Sequence, residues 1–185
     1  MQQYNENALK VAISQLTEEQ ARLFACDCAD RILAFWVEYG APVEAQALES
    51  VTVARRFAIG EATAAELDAA REEAYWSAYH FAAVCWEPSE HVYYATLDVF
   101  RAVAKTDSRE GAVIAMVADI KAAIHAARYA IYQEHRLFLE DPTAFASTET
   151  FGRWSQDRHS EVAREAREAT VRWQGVRIAE YLREQ

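Results

Sequence analysis

Apolar residues recur at spacings of three and four along most of the chain, and no stretch alternates with a sustained period of two between turn dipeptides. The first pattern collects side chains on one face of a helix; the second, which would mark strands, is missing. Val113, Met116, Val117, Ile120, Ile124, Ala127 and Ile131 set the clearest series and predict a central core helix from Ala112 to about Leu139. A last helix, from about Arg153 to Arg183, places Val162, Ala166, Ala169, Trp173 and Val176 on one stripe, with Glu161, Arg164, Glu165, Arg167, Glu168 and Arg172 on a solvated face.

Punctuation divides the rest. Ala8 to Leu16 predicts a small first helix. Thr17 followed by Gln20 is a capping box, in which the threonine hydroxyl accepts from the Gln20 amide and the glutamine side chain reaches back. It opens a helix running to about Tyr39, with Gly40 beyond its end. Pro42 suits the first turn of the next helix, which runs to Ile59 and is closed by Gly60. Thr63 with Glu66 repeats the box and starts an alanine-rich helix to about Trp86, whose small side chains predict close packing against neighbours. Pro88 and Ser89 mark a turn before a helix from about His91 to Ala104, and Lys105 to Gly111 reads as a loop or helix start. Asp141 and Pro142 form an N-cap and first-turn pair, with Ser147 to Phe151 an irregular link or short helix. The expected architecture is an all-α, single-domain bundle of about six to eight helices over residues 1–185, with no sheet.

Composition agrees: 52% apolar residues and only five glycines and three prolines supply a core and few helix breakers. No run is long and apolar enough for a membrane span, and MQQYNENALK lacks the features of a signal peptide, so the expected location is the cytoplasm. The net charge of −10 disfavours direct binding to nucleic acid or anionic membranes and suits a basic protein partner, although acidity also serves solubility alone.

Chemistry is hard to locate. Cys26 and Cys28 stand two apart, which on a helix turns their sulfurs about 200° from each other, and Cys85 brings no zinc-type histidine spacing. The thiols therefore read as core packing. None of the histidines at 80, 91, 125, 135 and 159 follows a glutamate by three, as a di-iron helix pair requires, and HExxH, GxSxG, Walker and GxGxxG motifs are absent. No catalytic residue, metal ligand or cofactor is assigned. Tyr75, Trp76, Tyr79 and His80 form a group that reads either as aromatic core or as an interface or pocket lining.

The most unusual stretch is RLFACDCADRIL, where charges interrupt an apolar run. Leu23, Phe24, Ala25, Ile32, Leu33 and Phe35 supply core there, while Asp27 and Arg31 stand four apart with Arg22 and Asp30 beside them. Charges so embedded are expected to be partly buried and satisfied from another helix, with Arg55 and Arg56 as partners. The expected result is a structural network of Arg22, Asp27, Asp30, Arg31, Arg55 and Arg56 that fixes helix register.

Two blocks, ARLFACDCADRIL from Ala21 and ARRFAIGEATAAELDAAREEA from Ala54, together resemble the opening of the Imm-5-like immunity proteins of bacterial polymorphic toxin systems. Phe24, Cys26, Asp27, Cys28, Asp30, Arg31, Arg55, Gly60 and Glu66 carry the shared pattern, which covers roughly the first 75 residues. The resemblance implies an α-helical cytoplasmic protein that neutralises a cognate toxin by binding it, the acidic surface covering a basic toxin such as a nuclease. It supplies no toxin-contacting residue. Two other readings stand beside it: a helical enzyme or small-ligand binder with an interhelical pocket near His80 and His125, and an acidic inhibitor that mimics nucleic acid.

Overall fold

The computed structural model describes residues 5–38, 45–82, 107–140 and 148–184, and the fold is all-α. Six helices are present among the described residues: α1 (Glu6–Ile13), α2 (Glu18–Glu38), α3 (Ala45–Ala58), α4 (Ala64–Ala82), α5 (Ser108–Glu140) and α6 (Thr148–Arg183). The helix expected over His91 to Ala104, Cys85, Gly40, Pro42 and the Asp141–Pro142 pair lie outside the described residues.

Local chemistry sets the boundaries. Asn5 caps α1 by accepting from the Ala8 amide at 2.9 Å, so α1 begins two residues earlier than the apolar pattern marks and ends at Ile13. Thr17 and Gln20 form the expected reciprocal box, each amide donating to the other's side-chain oxygen at 3.1 Å. At the end of α3, Gly60 takes φ +78°, Glu61 N–H bonds Arg56 O at 2.7 Å and Gly60 N–H bonds Phe57 O at 3.1 Å. This is a Schellman closure, and its left-handed residue is one that glycine adopts without a Cβ penalty. Thr63 and Glu66 then open α4 by the second box, with amide-to-side-chain distances of 2.7 and 3.2 Å. Asp107 accepts from the amides of Arg109 and Glu110 at 3.0 and 3.1 Å, which starts α5 at Ser108 rather than Ala112.

Thr148 to Phe151 is not an irregular link but the first turn of α6, which runs unbroken through Gly152 to Arg183. Its two glycines, Gly152 and Gly175, cost the helix about 1 kcal/mol each, little against the bonds of the 36-residue α6. The two long helices α5 and α6 are each roughly 50 Å long by helical rise, and they pack along each other and against α2 and α1.

The core is a continuous cluster in which Leu9, Ile13, Leu16, Phe24, Ile32, Met116 and Ile178 are fully buried. Burial of side chains of this size contributes about 1.5–3 kcal/mol each. The alanines of α4 divide: Ala70 is buried in the core, as expected, while Ala64, Ala65 and Ala69 face solvent, and further close packing comes from Ala21, Ala25 and Ala29 of α2 and Ala112, Ala115, Ala118 and Ala122 of α5, all buried. Short side chains at one-turn intervals let these two helix axes approach, and α2 and α5 form the most extensive helix pair. α3 and α4 form a hairpin that joins the rest through α3 against α2.

Candidate functional site

The charges of α2 form two layers, one turn apart. In the first, Asp27 is buried and its carboxylate gathers donors from two other helices. Arg55 Nη2 of α3 donates to Oδ1 at 2.7 Å, Arg177 Nε of α6 donates to Oδ2 at 2.6 Å, and the Tyr181 hydroxyl donates to the same oxygen at 2.8 Å. Arg55 Nη2 also reaches Asp30 at 2.6 Å, and Arg177 Nη1 reaches Glu180 at 2.9 Å. Opposite charges surround every member, which is the condition under which a buried ion pair is tolerated. Burial alone would lower the Arg55 pKa, but its bonds to Asp27 and Asp30 outweigh this and raise it; the bond to Asp27 raises that of Arg177. Burial and donation to Asp27 push the Tyr181 phenol above its usual range.

In the second layer Arg31 reaches across to α5 and α6. Its Nε lies 3.2 Å from each oxygen of Asp119, and its Nη2 lies 3.4 Å from Thr170 Oγ1. The guanidinium stacks 4.3 Å from the centre of the Trp173 ring, a cation–π arrangement. Gln174 Nε2 donates to Asp119 Oδ2 at 2.9 Å and to Met116 O at 3.0 Å, so both its protons are engaged. Asp119 is 0% exposed, and burial pushes its pKa up to about 6 even though Arg31 and Gln174 pull the other way.

The remaining expected members divide. Arg56 does not join α2. It donates to Glu61 O at 3.0 Å and pairs with Glu66 at 3.6 Å, holding the α3–α4 turn. Adjacent helical residues point about 100° apart, so Arg55 and Arg56 face different neighbours. Arg22 is buried with its guanidinium 5.0 Å above the Phe57 ring, and burial lowers its pKa. Asp27 and Arg31 each bond across helices rather than to one another.

Both cysteines of α2 are buried free thiols. Burial raises the Cys26 pKa to about 12, with Arg55, Asp27 and Asp30 as the charges it feels; Cys28 is raised well above its usual range and feels Asp119 most. Asp27 lies in the field of both thiols, while Arg55 and Asp30 act on Cys26 and Asp119 and Arg31 on Cys28. Neither forms the thiolate that nucleophilic or metal chemistry uses. Among the described residues, no three His, Cys, Asp or Glu side chains gather as a metal ion needs, and no helix is long and apolar enough to cross a membrane.

Trp76 is 51% exposed on α4, whereas the side chains of Tyr75, Tyr79 and His80 lie outside the described residues. His125 is half-buried on α5.

Asp119, Thr170, Gln174, Arg177 and Tyr181 were not expected in the network. The apolar stripe assigned to α6 is rotated from the real one: Ala169 and Val176 are exposed, the latter by 52%, while Thr170, Val171, Gln174, Ile178 and Tyr181 are buried. Two of these are polar, drawn inward by Asp119 and Arg31. The signal that locates them is the i, i+4 series Thr170, Gln174, Ile178 together with the aspartate inside the apolar run of α5. Comparison with protein-family models, with curated proteins and with solved structures finds no match to the chain.

Proposed function

We propose that the chain is a non-enzymatic cytoplasmic binding protein that neutralises a cognate toxin by direct, stoichiometric binding, the role implied by its resemblance to Imm-5-like immunity proteins. The observation that carries this reading is the disposition of charge. The arginines of the shared block are engaged inward or within its own turns: Arg55 on Asp27 and Asp30, Arg31 on Asp119, Arg56 on the α3–α4 turn. A chain of net charge −10 is thereby left with exposed acids such as Glu18, Glu19, Glu49, Glu72 and Glu73, a surface that favours a basic partner. The shared block acts as scaffold, and partner choice belongs to the surface around it.

The test is to purify the protein with the toxin encoded beside it. A one-to-one complex, abolished toxin activity and an association rate that falls as salt rises are expected. Equal rates at low and high salt remove the electrostatic part, and unprotected toxin activity at a molar excess of this chain overturns the whole reading.

A further inference from the structure

We propose that Asp119, Arg31 and Trp173 form a proton-operated latch where α2, α5 and α6 meet: the ionised carboxylate holds the Arg31 guanidinium on the seam, and protonation releases it. The geometry gives Arg31 one strong anchor and two weak ones. Its Nε is shared evenly between the two Asp119 oxygens at 3.2 Å, whereas the Thr170 bond is 3.4 Å long and the Trp173 contact is a stack. The Arg31 side chain is 28% exposed while that of Asp119 is 0% exposed. Once the ion pair is weakened the arginine has a route to water, and the carboxyl has none.

Among the described residues, no neighbouring charge competes for this role. From α2, Asp119 meets Arg31 and Cys28, and the Cys28 thiol stays protonated because burial raises its pKa. Asp27, one turn away on α2, is engaged by Arg55, Arg177 and Tyr181. From α6 come the neutral Thr170, Trp173 and Gln174, while Arg177 is bound to Asp27. α1, which also packs on α5, carries the exposed Lys10 and the half-buried Glu6, the latter paired with Arg167. Within α5, the residues one turn from Asp119 are Ala115, Met116, Ala122 and Ala123.

The proton adds in the mildly acidic range, because burial places the carboxyl pKa at about 6. Release is local. A neutral carboxyl suits a fully buried site better than a charged one, and Gln174 keeps its bond to Met116 O, so α5 and α6 remain clasped. The latch therefore opens without unfolding the bundle.

The test follows intrinsic tryptophan emission against pH in the wild type, Asp119→Asn and Trp173→Phe, with circular dichroism to confirm the fold. The wild type is expected to show a transition centred near pH 6 that both variants lack. A transition that survives in Asp119→Asn comes from another group, such as a histidine, and overturns the latch, as does a flat wild-type signal. If Asp119→Asn does not fold, carbon-13 NMR of the wild-type aspartates decides. An Asp119 carboxyl midpoint near 6 accompanied by a change in the Arg31 Nε–H signal supports the proposal. A midpoint in the ordinary aspartate range, or an unchanged arginine signal, refutes it.

Discussion

Asp27 and Asp119 both bury a carboxylate against an arginine, and they do so with opposite consequences. Asp27 receives two guanidinium groups and a phenol, from α3 and α6. Asp119 receives one guanidinium nitrogen and one neutral amide. The two arginines on Asp27 remain about one-third exposed, so their charge is only partly removed from water. Arg31 is exposed to a similar degree, 28%, so the difference lies in the carboxylates: the Asp119 side chain is 0% exposed against 10% for Asp27, and a single shared Nε does not offset its desolvation, which pushes its pKa up to about 6. Two full positive charges and a phenol serve the Asp27 carboxylate, whereas one shared guanidinium nitrogen and a neutral amide serve Asp119.

The largest test of that contrast is Asp27→Ala. It leaves two arginines facing each other without their common counter-ion, and breaking such a buried pair costs about 3–5 kcal/mol. Thermal unfolding should fall by roughly 6–20 °C for a domain of this size, and calorimetry reads it. A smaller drop would place Asp27 in the same class as Asp119. A stable Asp27→Ala protein that fails to bind the proposed toxin partner would instead move this carboxylate from scaffold to interface.

Arg177→Met comes next. Asp27 keeps Arg55 and Tyr181, so the buried loss is one charge-assisted bond, with the more exposed bonds to Glu180 and the Tyr181 hydroxyl lost beside it, about 1–3 kcal/mol in all by urea unfolding. A loss as large as that of Asp27→Ala would mean that the layer acts as a single unit rather than as parallel donors.

Asp119→Asn should be the mildest, within about 1 kcal/mol at neutral pH, because removing the charge relieves the burial cost while weakening the Arg31 pair. Its sharper signature is the pH dependence. The folded pKa of about 6 lies above the ordinary aspartate value of 3.8, so between these values the folded state holds more protons than the unfolded one. Through this residue alone, stability is gained as pH falls through about 6, is fully present below 3.8 and is lost again as pH rises through about 6. Glu66, whose pKa is lowered by its bonds to Thr63, works in the other direction. Subtracting the Asn variant's stability curve from the wild type's isolates Asp119, and a flat difference would remove the distinction between the two carboxylates.

Much of the bundle was legible from local rules. The Thr17 and Thr63 boxes, the Gly60 closure and the apolar series of α5 each depend on residues within a few positions of one another, so short-range chemistry fixes them. Asp27 and Arg55 were legible as partners because charges inside an apolar helical run demand counter-charges. Their α6 and α5 partners were not. Arg177, Gln174 and Thr170 resemble surface residues in a charged helix, and only the tertiary placement of Asp119 and Asp27 turns them inward. The same blindness produced the rotated stripe, since apolar periodicity assigns polar side chains to solvent. Arg56 shows the converse error, where proximity in sequence to Arg55 hid a different direction in space.

The bonds that complete the Asp27 layer join residues 150 positions apart for Arg177 and 154 for Tyr181, and Gln20, while capping α2, also donates to Tyr181 O at 2.8 Å from 161 positions away. A ribosome adds about 5–20 residues per second, so Asp27 is made roughly 8–30 s before Arg177. During that interval α2 has the means to form its turns and its hairpin with Arg55, yet it carries a carboxylate whose second counter-ion does not exist. Until α6 is made, the Asp27 layer lacks two of its three donors, Arg177 and Tyr181, and has Arg55 alone.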